Sequence, residues 1–197
     1  AVKKIKDHYF HKAKKEGYAA RSVYKIEEID NKHKIIHTGN KVLDLGCSPG
    51  SWLQYASRKV GNSGYVLGID VQPVKISLPR NVKVIQTDIF EITNEELHIK
   101  AGKPDVILSD MAPKTSGIRS TDAHRSFALN KKVLNIANEI LHSEGTLLVK
   151  TFQGILLDEL CSEFRKMFAK VKLCKPKSSR SESAEIFILG THKKRTI

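Results

Sequence analysis

The period of the hydrophobic pattern changes repeatedly along the chain. Residues 3–16 are lysine-rich and read as a helix with Tyr9, Phe10 and Ala13 on one side. Val23, Ile26 and Ile29 recur at helical spacing, predicting a second helix from about Arg21 to Asp30. Short continuous apolar runs then predict buried strands at 41–45, 65–69, 82–86, 105–109 and 146–149. Helices are expected between them over 51–60, closed by Gly61-Asn-Ser-Gly64, and from about Thr121 to His142, stopped by Gly145. Leu156, Leu157, Leu160, Phe164 and Phe168 form the apolar face of a further helix. Residues 170–174 and 184–189 close the chain as two strands with no helix between them.

Such alternation predicts an α/β fold, Rossmann-like and doubly wound. Its sheet is mostly parallel and seven-stranded, with an antiparallel pair at one edge. A chain of 197 residues that is 40% hydrophobic suits one globular domain over 1–197, with 1–41 as a basic N-terminal helical extension. In an open parallel sheet, ligands bind beyond the carboxyl ends of the strands. The ionisable residues stand at those ends: Asp44 with Gly46, then Asp70, Asp88, Asp110 and Lys150.

Charge sharpens this picture through its placement. Of the formal +13, residues 1–41 hold +6 and residues 165–197 hold +8, while the stretch between them holds −1. If the two ends meet in the fold, they form one basic surface of the kind that binds a phosphate backbone. Cys47, Cys161 and Cys174 are odd in number and widely spaced, without a C-x-x-C pair. That argues against a disulfide framework and a structural zinc site, and for a reducing, intracellular compartment. The cytoplasm is the first expectation; the nucleus, or an organelle after loss of a transit segment, stays open. No metal is expected at the His33/His37 pair, which lacks clustered acidic or cysteine partners. No apolar run reaches the ~18 residues of a membrane span, and a monomer is expected.

The loop after the first strand reads Asp44-Leu-Gly46-Cys-Ser-Pro49-Gly50-Ser-Trp52. It follows a strand and opens a helix, as a nucleotide fingerprint must, yet it is not G-x-G-x-x-G. A pyrophosphate, and with it an NAD-dependent oxidoreductase, therefore fits poorly. S-adenosylmethionine has no phosphate and carries an amine and a sulfonium, so a glycine loop flanked by carboxylates suits it better. Asp70 lies where an acid would hold ribose hydroxyls. Asp88 lies one strand over, suited to the adenine amino group.

The stretches Glu16-Gly-Tyr-Ala-Ala-Arg-Ser-Val-Tyr-Lys25, Val42-Leu-Asp-Leu-Gly-Cys-Ser-Pro-Gly-Ser-Trp52, Ser109-Asp-Met-Ala-Pro113, Val149-Lys-Thr-Phe-Gln-Gly154 and Lys175-Pro-Lys-Ser-Ser-Arg180 resemble the FtsJ/RrmJ family of ribose 2′-O-methyltransferases. The resemblance covers almost the whole chain and implies the class I methyltransferase fold. It also implies a catalytic tetrad of Lys25, Asp110, Lys150 and Glu185, and cofactor contacts at Gly50, Trp52, Asp70, Asp88 and Asp110. With the loop residues Asp44, Gly46 and Pro49, these make the expected cofactor set. Ser51 departs from the second glycine usual in the bacterial rRNA enzymes, and Glu182 is a rival to Glu185 by proximity.

The implied reaction is attack of a ribose 2′-oxygen on the sulfonium methyl. It needs alignment at ~3–3.5 Å and removal of a proton from a weakly acidic alcohol. A neutral lysine can take that proton, and Lys150 is assigned to it. Asp110 orients Lys150 and neighbours the methyl group, Lys25 positions the 2′-oxygen or stabilises charge developing on it, and Glu185 holds a lysine. Lys12, Lys14, Lys15, Arg21, Lys177 and Arg180 suit phosphates, and Tyr18 and Tyr24 suit either packing or stacking on a base. Large-subunit rRNA is the expected substrate, because Ser109-Asp-Met-Ala-Pro113 with Ser116-Gly117 and Phe152-Gln-Gly154 looks like that branch. A tRNA anticodon-loop enzyme, or a non-catalytic RNA-binding protein on the same fold, is the alternative.

Overall fold

A computed structural model of the chain describes residues 2–113, 119–179 and 183–195. Arg180, Glu182, Ser116 and Gly117 lie outside the described residues. Two helices come first, α1 (Val2–Lys15) and α2 (Val23–His33). Then follow β1 (Lys41–Leu45), α3 (Ser51–Val60), β2 (Tyr65–Asp70), β3 (Val82–Gln86), α4 (Asn94–Ala101), β4 (Val106–Ser109) and α5 (Arg119–Ile140). The chain closes with β5 (Thr146–Phe152), α6 (Leu157–Met167), β6 (Phe168–Cys174) and β7 (Glu185–Lys193).

The strands form one seven-stranded sheet in the order β3-β2-β1-β4-β5-β7-β6. β1 to β5 run parallel, and β7 enters antiparallel between β5 and β6. Strand order reverses between β1 and β4, which opens a crevice at their carboxyl ends. Alternation along each strand sends side chains to two separate cores. Val42, Leu148, Phe187 and Leu189 join α2 and α3 on one face; Leu43, Leu45, Leu147 and Val149 join α4, α5 and α6 on the other. The lysine-rich N-terminal region is partly core: Val23, Tyr24, Ile26 and Ile29 of α2 are buried in the first cluster.

Four expectations change, the simplest being that Phe168, read as part of the last helix's apolar face, instead opens β6. Helix α4 was not foreseen, because its eight residues bury only Leu97 and Ala101. A capping box announces it: the Thr93 hydroxyl accepts from the Glu96 N–H, and the Glu96 carboxylate accepts from the Thr93 N–H. Helix α2 starts two residues later than expected and runs three further, to His33. Lys150 does not end its strand. β5 continues to Phe152 because antiparallel pairing with β7 extends past its last parallel partner, with Lys150 opposite Phe187 and Phe152 opposite Glu185.

Candidate active site

Strand register brings the expected tetrad together. Lys150 shares a sheet face with Leu148, and Glu185 shares that face with Phe187, so both side chains point toward α2. Lys25 reaches down from α2 and contacts both carboxylate oxygens of Glu185 at 2.8 Å. The Ser179 hydroxyl donates to the same carboxylate at 2.9 Å. Burial pushes the Glu185 carboxyl up, but the Lys25 hydrogen bond and charge, the Lys150 charge and Ser179 outweigh it. The result is a carboxyl held below its ordinary range. One strand over, the Lys150 ammonium lies 3.0 Å from Asp110 Oδ1 and donates to the Asp110 carbonyl oxygen at 2.5 Å. Lys150 is only 8% exposed. The two ion pairs flank Phe187, on which the Trp52 indole stacks with centroids 5.9 Å apart.

Beside the Lys25–Glu185 pair is a cleft of about 210 Å³ lined by Arg21, Ser22, Lys25, Ser178, Ser183 and Glu185. Arg21 donates to the Ser178 carbonyl oxygen at 2.7 Å, while its Nη1 and the Ser178 hydroxyl have no hydrogen-bond partner among the described residues. The loop carrying Ser178 is tied to α2 by Glu28, which accepts the Lys177 and Ser178 N–H groups at 2.7 and 2.9 Å. Sequence reasoning missed Glu28 and Ser179. No local pattern marks Glu28, whose partners lie about 150 residues away.

Asp110 also lines a crevice of about 390 Å³ with Gly46, Asp70, Asp88, Met111 and Pro113. Gly46 has φ 82°, and a Cβ there would strike the Met111 side chain, so glycine keeps this wall open. Asp70 accepts the Ser48 N–H on one oxygen and the Gln72 N–H on the other, each at 2.8 Å, and each oxygen keeps a lone pair for a ligand. Asp88 accepts the Phe90 N–H at 2.9 Å, which fixes its carboxylate at the rim. Val71 and Phe90, 52% and 57% exposed, place apolar surface there between the two acids.

Four other expected cofactor residues do not line this crevice. Asp44 lies in its foundations with no exposed surface, and neither oxygen has a hydrogen-bond partner among the described residues. Burial first, then the charges of Asp110 and Asp70, push its carboxyl well above the ordinary range. Pro49 is exposed beyond the crevice. Gly50 caps α3 at φ 113°, with Val74 and Ile76 where a Cβ would project. Trp52 is a core residue, 3% exposed, whose indole N–H donates to the Ser22 carbonyl at 2.9 Å. It steadies the segment leading into Lys25. Ser51 does the same, its hydroxyl 2.9 Å from that of Ser22.

The basic ends of the chain meet here, as Arg21 with Ser178 and Lys25 with Glu185 demonstrate. Tyr24 is 1% exposed and hydrogen-bonded to Glu16, so it packs in the core; Tyr18 is half-buried under the Arg58 guanidinium. Lys12 lies 4.4 Å from the Tyr24 ring centre, and Lys14 and Lys15 are exposed on α1.

The chain has close counterparts among known proteins. The curated relatives named ribosomal RNA large subunit methyltransferase E from Desulfatibacillum aliphaticivorans and Bdellovibrio bacteriovorus are each 47% identical to it. Both alignments cover 96% of this chain, and 91% and 97% of the respective relatives. The crystal structure of a ribosomal RNA methyltransferase from Plasmodium falciparum matches with TM-score 0.80 at 28% identity, covering 91% of this chain and 100% of that one. Aeropyrum pernix fibrillarin, crystallised with S-adenosyl-L-methionine, shares the fold at TM-score 0.61 and 15% identity, over 80% of this chain and 68% of its own. The FtsJ-like methyltransferase model matches residues 18–193, from the segment that carries Lys25 to the end of the strand that carries Glu185. With both halves of the tetrad inside that match, the chain belongs to the FtsJ-like methyltransferases.

Proposed function

We propose that the chain methylates a ribose 2′-hydroxyl of large-subunit ribosomal RNA, using S-adenosylmethionine as donor. The observation that carries the reading is the meeting of an acidic crevice with two ion-paired lysines on one sheet face. In a protein of formal charge +13, a crevice edged by Asp70, Asp88 and Asp110, with Asp44 beneath, selects a cationic small molecule. The residues present therefore fit the cofactor. Bound there, S-adenosylmethionine supplies a methyl group already activated on a sulfonium.

The chain's own residues do the rest. Asp70 would accept from ribose hydroxyls of the cofactor and Asp88 from its adenine amino group, with Val71 and Phe90 supplying the apolar surface beside them. Gly46 allows close backbone approach. Lys150, in its neutral form, takes the proton of the substrate 2′-hydroxyl on Nζ, and Asp110 orients it. Lys25 holds the 2′-oxygen through Nζ, and Glu185, steadied by Ser179, holds Lys25. The small cleft at Arg21 and Ser178 receives the sugar-phosphate beside the target ribose. Lys12, Lys14 and Lys15 of the basic N-terminal region, 1–41, and Lys177 of the loop it grips contact further phosphates of the RNA. Free, buried Cys47, Cys161 and Cys174 suit a reducing compartment, and we place the protein in the cytoplasm as a monomer.

Mapping of 2′-O-methyl sites in total RNA from cells with and without the protein tests this reading. Loss of one large-subunit rRNA site is the expected result. Loss confined to a tRNA anticodon loop would overturn the substrate, and no lost site would overturn the activity.

A further inference from the structure

The sheet has a second concavity at its opposite rim, of about 600 Å³. It opens where β4 and β5 begin, at Val106 and Thr146, and where β6 and β7 lie side by side. Its charge is the reverse of the cofactor crevice. Lys34, Lys170, Lys172 and Arg195 face it against only Asp105 and Glu144. Asp105 is partly engaged already, accepting the Lys41 N–H at 2.8 Å. Among the described residues none of the four cations is ion-paired, and all four are exposed. Imidazoles of His33, His37, His142 and His192 add further donors.

The backbone marks the same place. Lys34, Glu144 and His192 have φ of 52°, 69° and 59°; among the described residues they are the non-glycine positions with left-handed φ. All three line this concavity. L side chains adopt that conformation rarely and at an energetic cost, and such positions cluster at functional sites. Lys34 uses it to close α2, its N–H donating to the Asp30 carbonyl at 2.7 Å. Glu144 stands in the turn after α5, and His192 lies within β7. Three polar side chains are thereby fixed around one cavity by strained backbone.

The lining also joins both basic ends of the chain, residues 33–40 and 170–195. Helix α2 connects it to the active site, with Lys25 at one end and His33 at the other. From Lys150 back to Thr146 is four residues of strand, about 13 Å. A single nucleotide does not span that distance while keeping its ribose at Lys150.

We propose that this rim concavity binds the phosphate backbone of the RNA substrate, at a segment separate from the one that presents the target ribose. The inference rests on the RNA reading above and extends it: the enzyme grips its substrate at two places. Backbone contacts of this kind set register and carry the salt dependence of binding.

The test is the triple variant Lys170→Gln, Lys172→Gln, Arg195→Gln in the full chain. It is compared with Arg80→Gln, Lys83→Gln, Lys100→Gln, which removes equal charge from exposed positions outside this lining. Binding of a transcribed large-subunit rRNA fragment is followed by anisotropy between 50 and 200 mM salt. For the rim triple, affinity is expected to fall roughly tenfold and the log–log salt slope by about two to three. Its KM for RNA should rise while kcat and cofactor affinity hold, and the control triple should change affinity less than about twofold. Equal losses in both triples would reduce the effect to overall charge and overturn the site. Inorganic phosphate, titrated against the imidazole NMR signals, forms the second arm. Saturable shifts together with unchanged RNA affinity in the rim triple would assign the cavity to a small phosphorylated ligand and overturn the RNA contact. Rim-dependent RNA binding by a wild-type protein that transfers no methyl would sink the enzymatic reading and leave the contact standing. Normal methylation with unaltered binding in the rim triple would sink the contact alone.

Discussion

Two groups of ionised side chains meet at the carboxyl ends of β1, β4 and β5, and they are built on opposite principles. In the crevice, carboxylates face one another. Asp44 is buried without a hydrogen-bond partner among the described residues, and the charges of Asp110 and Asp70 push its proton affinity higher still. Beside the crevice both lysines are matched, Lys25 with Glu185 and Lys150 with Asp110. The crevice is electrostatically incomplete, which is what a cationic cofactor corrects. The lysine cluster is balanced, which is what residues need if they must hold fixed directions before the substrate arrives. Asp110 belongs to both groups and links the crevice to Lys150.

The largest effect should come from the balanced side. Lys150→Ala is expected to lower methyl transfer by about 10²–10⁴-fold, with cofactor affinity within a few-fold of wild type by calorimetry. Near wild-type turnover in a radiolabelled-methyl assay would remove Lys150 from the mechanism, and with it the division of labour between the two groups.

Asp44→Asn addresses the incomplete side. The folded-state pKa of Asp44 is raised, so the native chain binds more protons than the unfolded chain above the ordinary carboxylate range. Wild-type stability therefore falls as pH rises from about 4 toward the folded value. The variant lacks that slope. At pH 8 it should be more stable than wild type by on the order of 1–3 kcal/mol, a gap that closes near pH 4, while binding the cofactor more weakly. Denaturant midpoints showing a pH-independent gap, or a less stable variant, would count against an uncompensated carboxyl at this position.

The smallest effect separates loop placement from chemistry. Glu28→Gln weakens the grip of α2 on Lys177 and Ser178, and KM for RNA should rise about two- to five-fold, from the ~0.5–1 kcal/mol typical of one hydrogen bond. kcat should hold. A lowered melting temperature with KM unmoved would mean that the Lys177–Ser178 loop does not face RNA.

Much of this was legible in the chain itself. Continuous apolar runs, helical spacing and glycine stops marked the strands and every helix but α4, since these signals are local in the chain. The strand-end residues Asp70, Asp88 and Asp110 were readable in the same way. Lys25 and Glu185 were reached only through resemblance, for no spacing rule links positions 160 residues apart. Trp52, expected at the cofactor, is a core residue, since stacking on Phe187 depends on β7 lying beside β5.

The sequence by itself determined the order of elements and the sign of charge in each segment, because these follow from local sterics and composition. Tertiary structure decided the rest: the length of β5, the isolation of Asp44, the pairing of Lys25 with Glu185 and the hold of Glu28 on the Lys177–Ser178 loop. Each of those depends on which distant segments become neighbours. Solvent exclusion and antiparallel register exist only once β7 has inserted between β5 and β6.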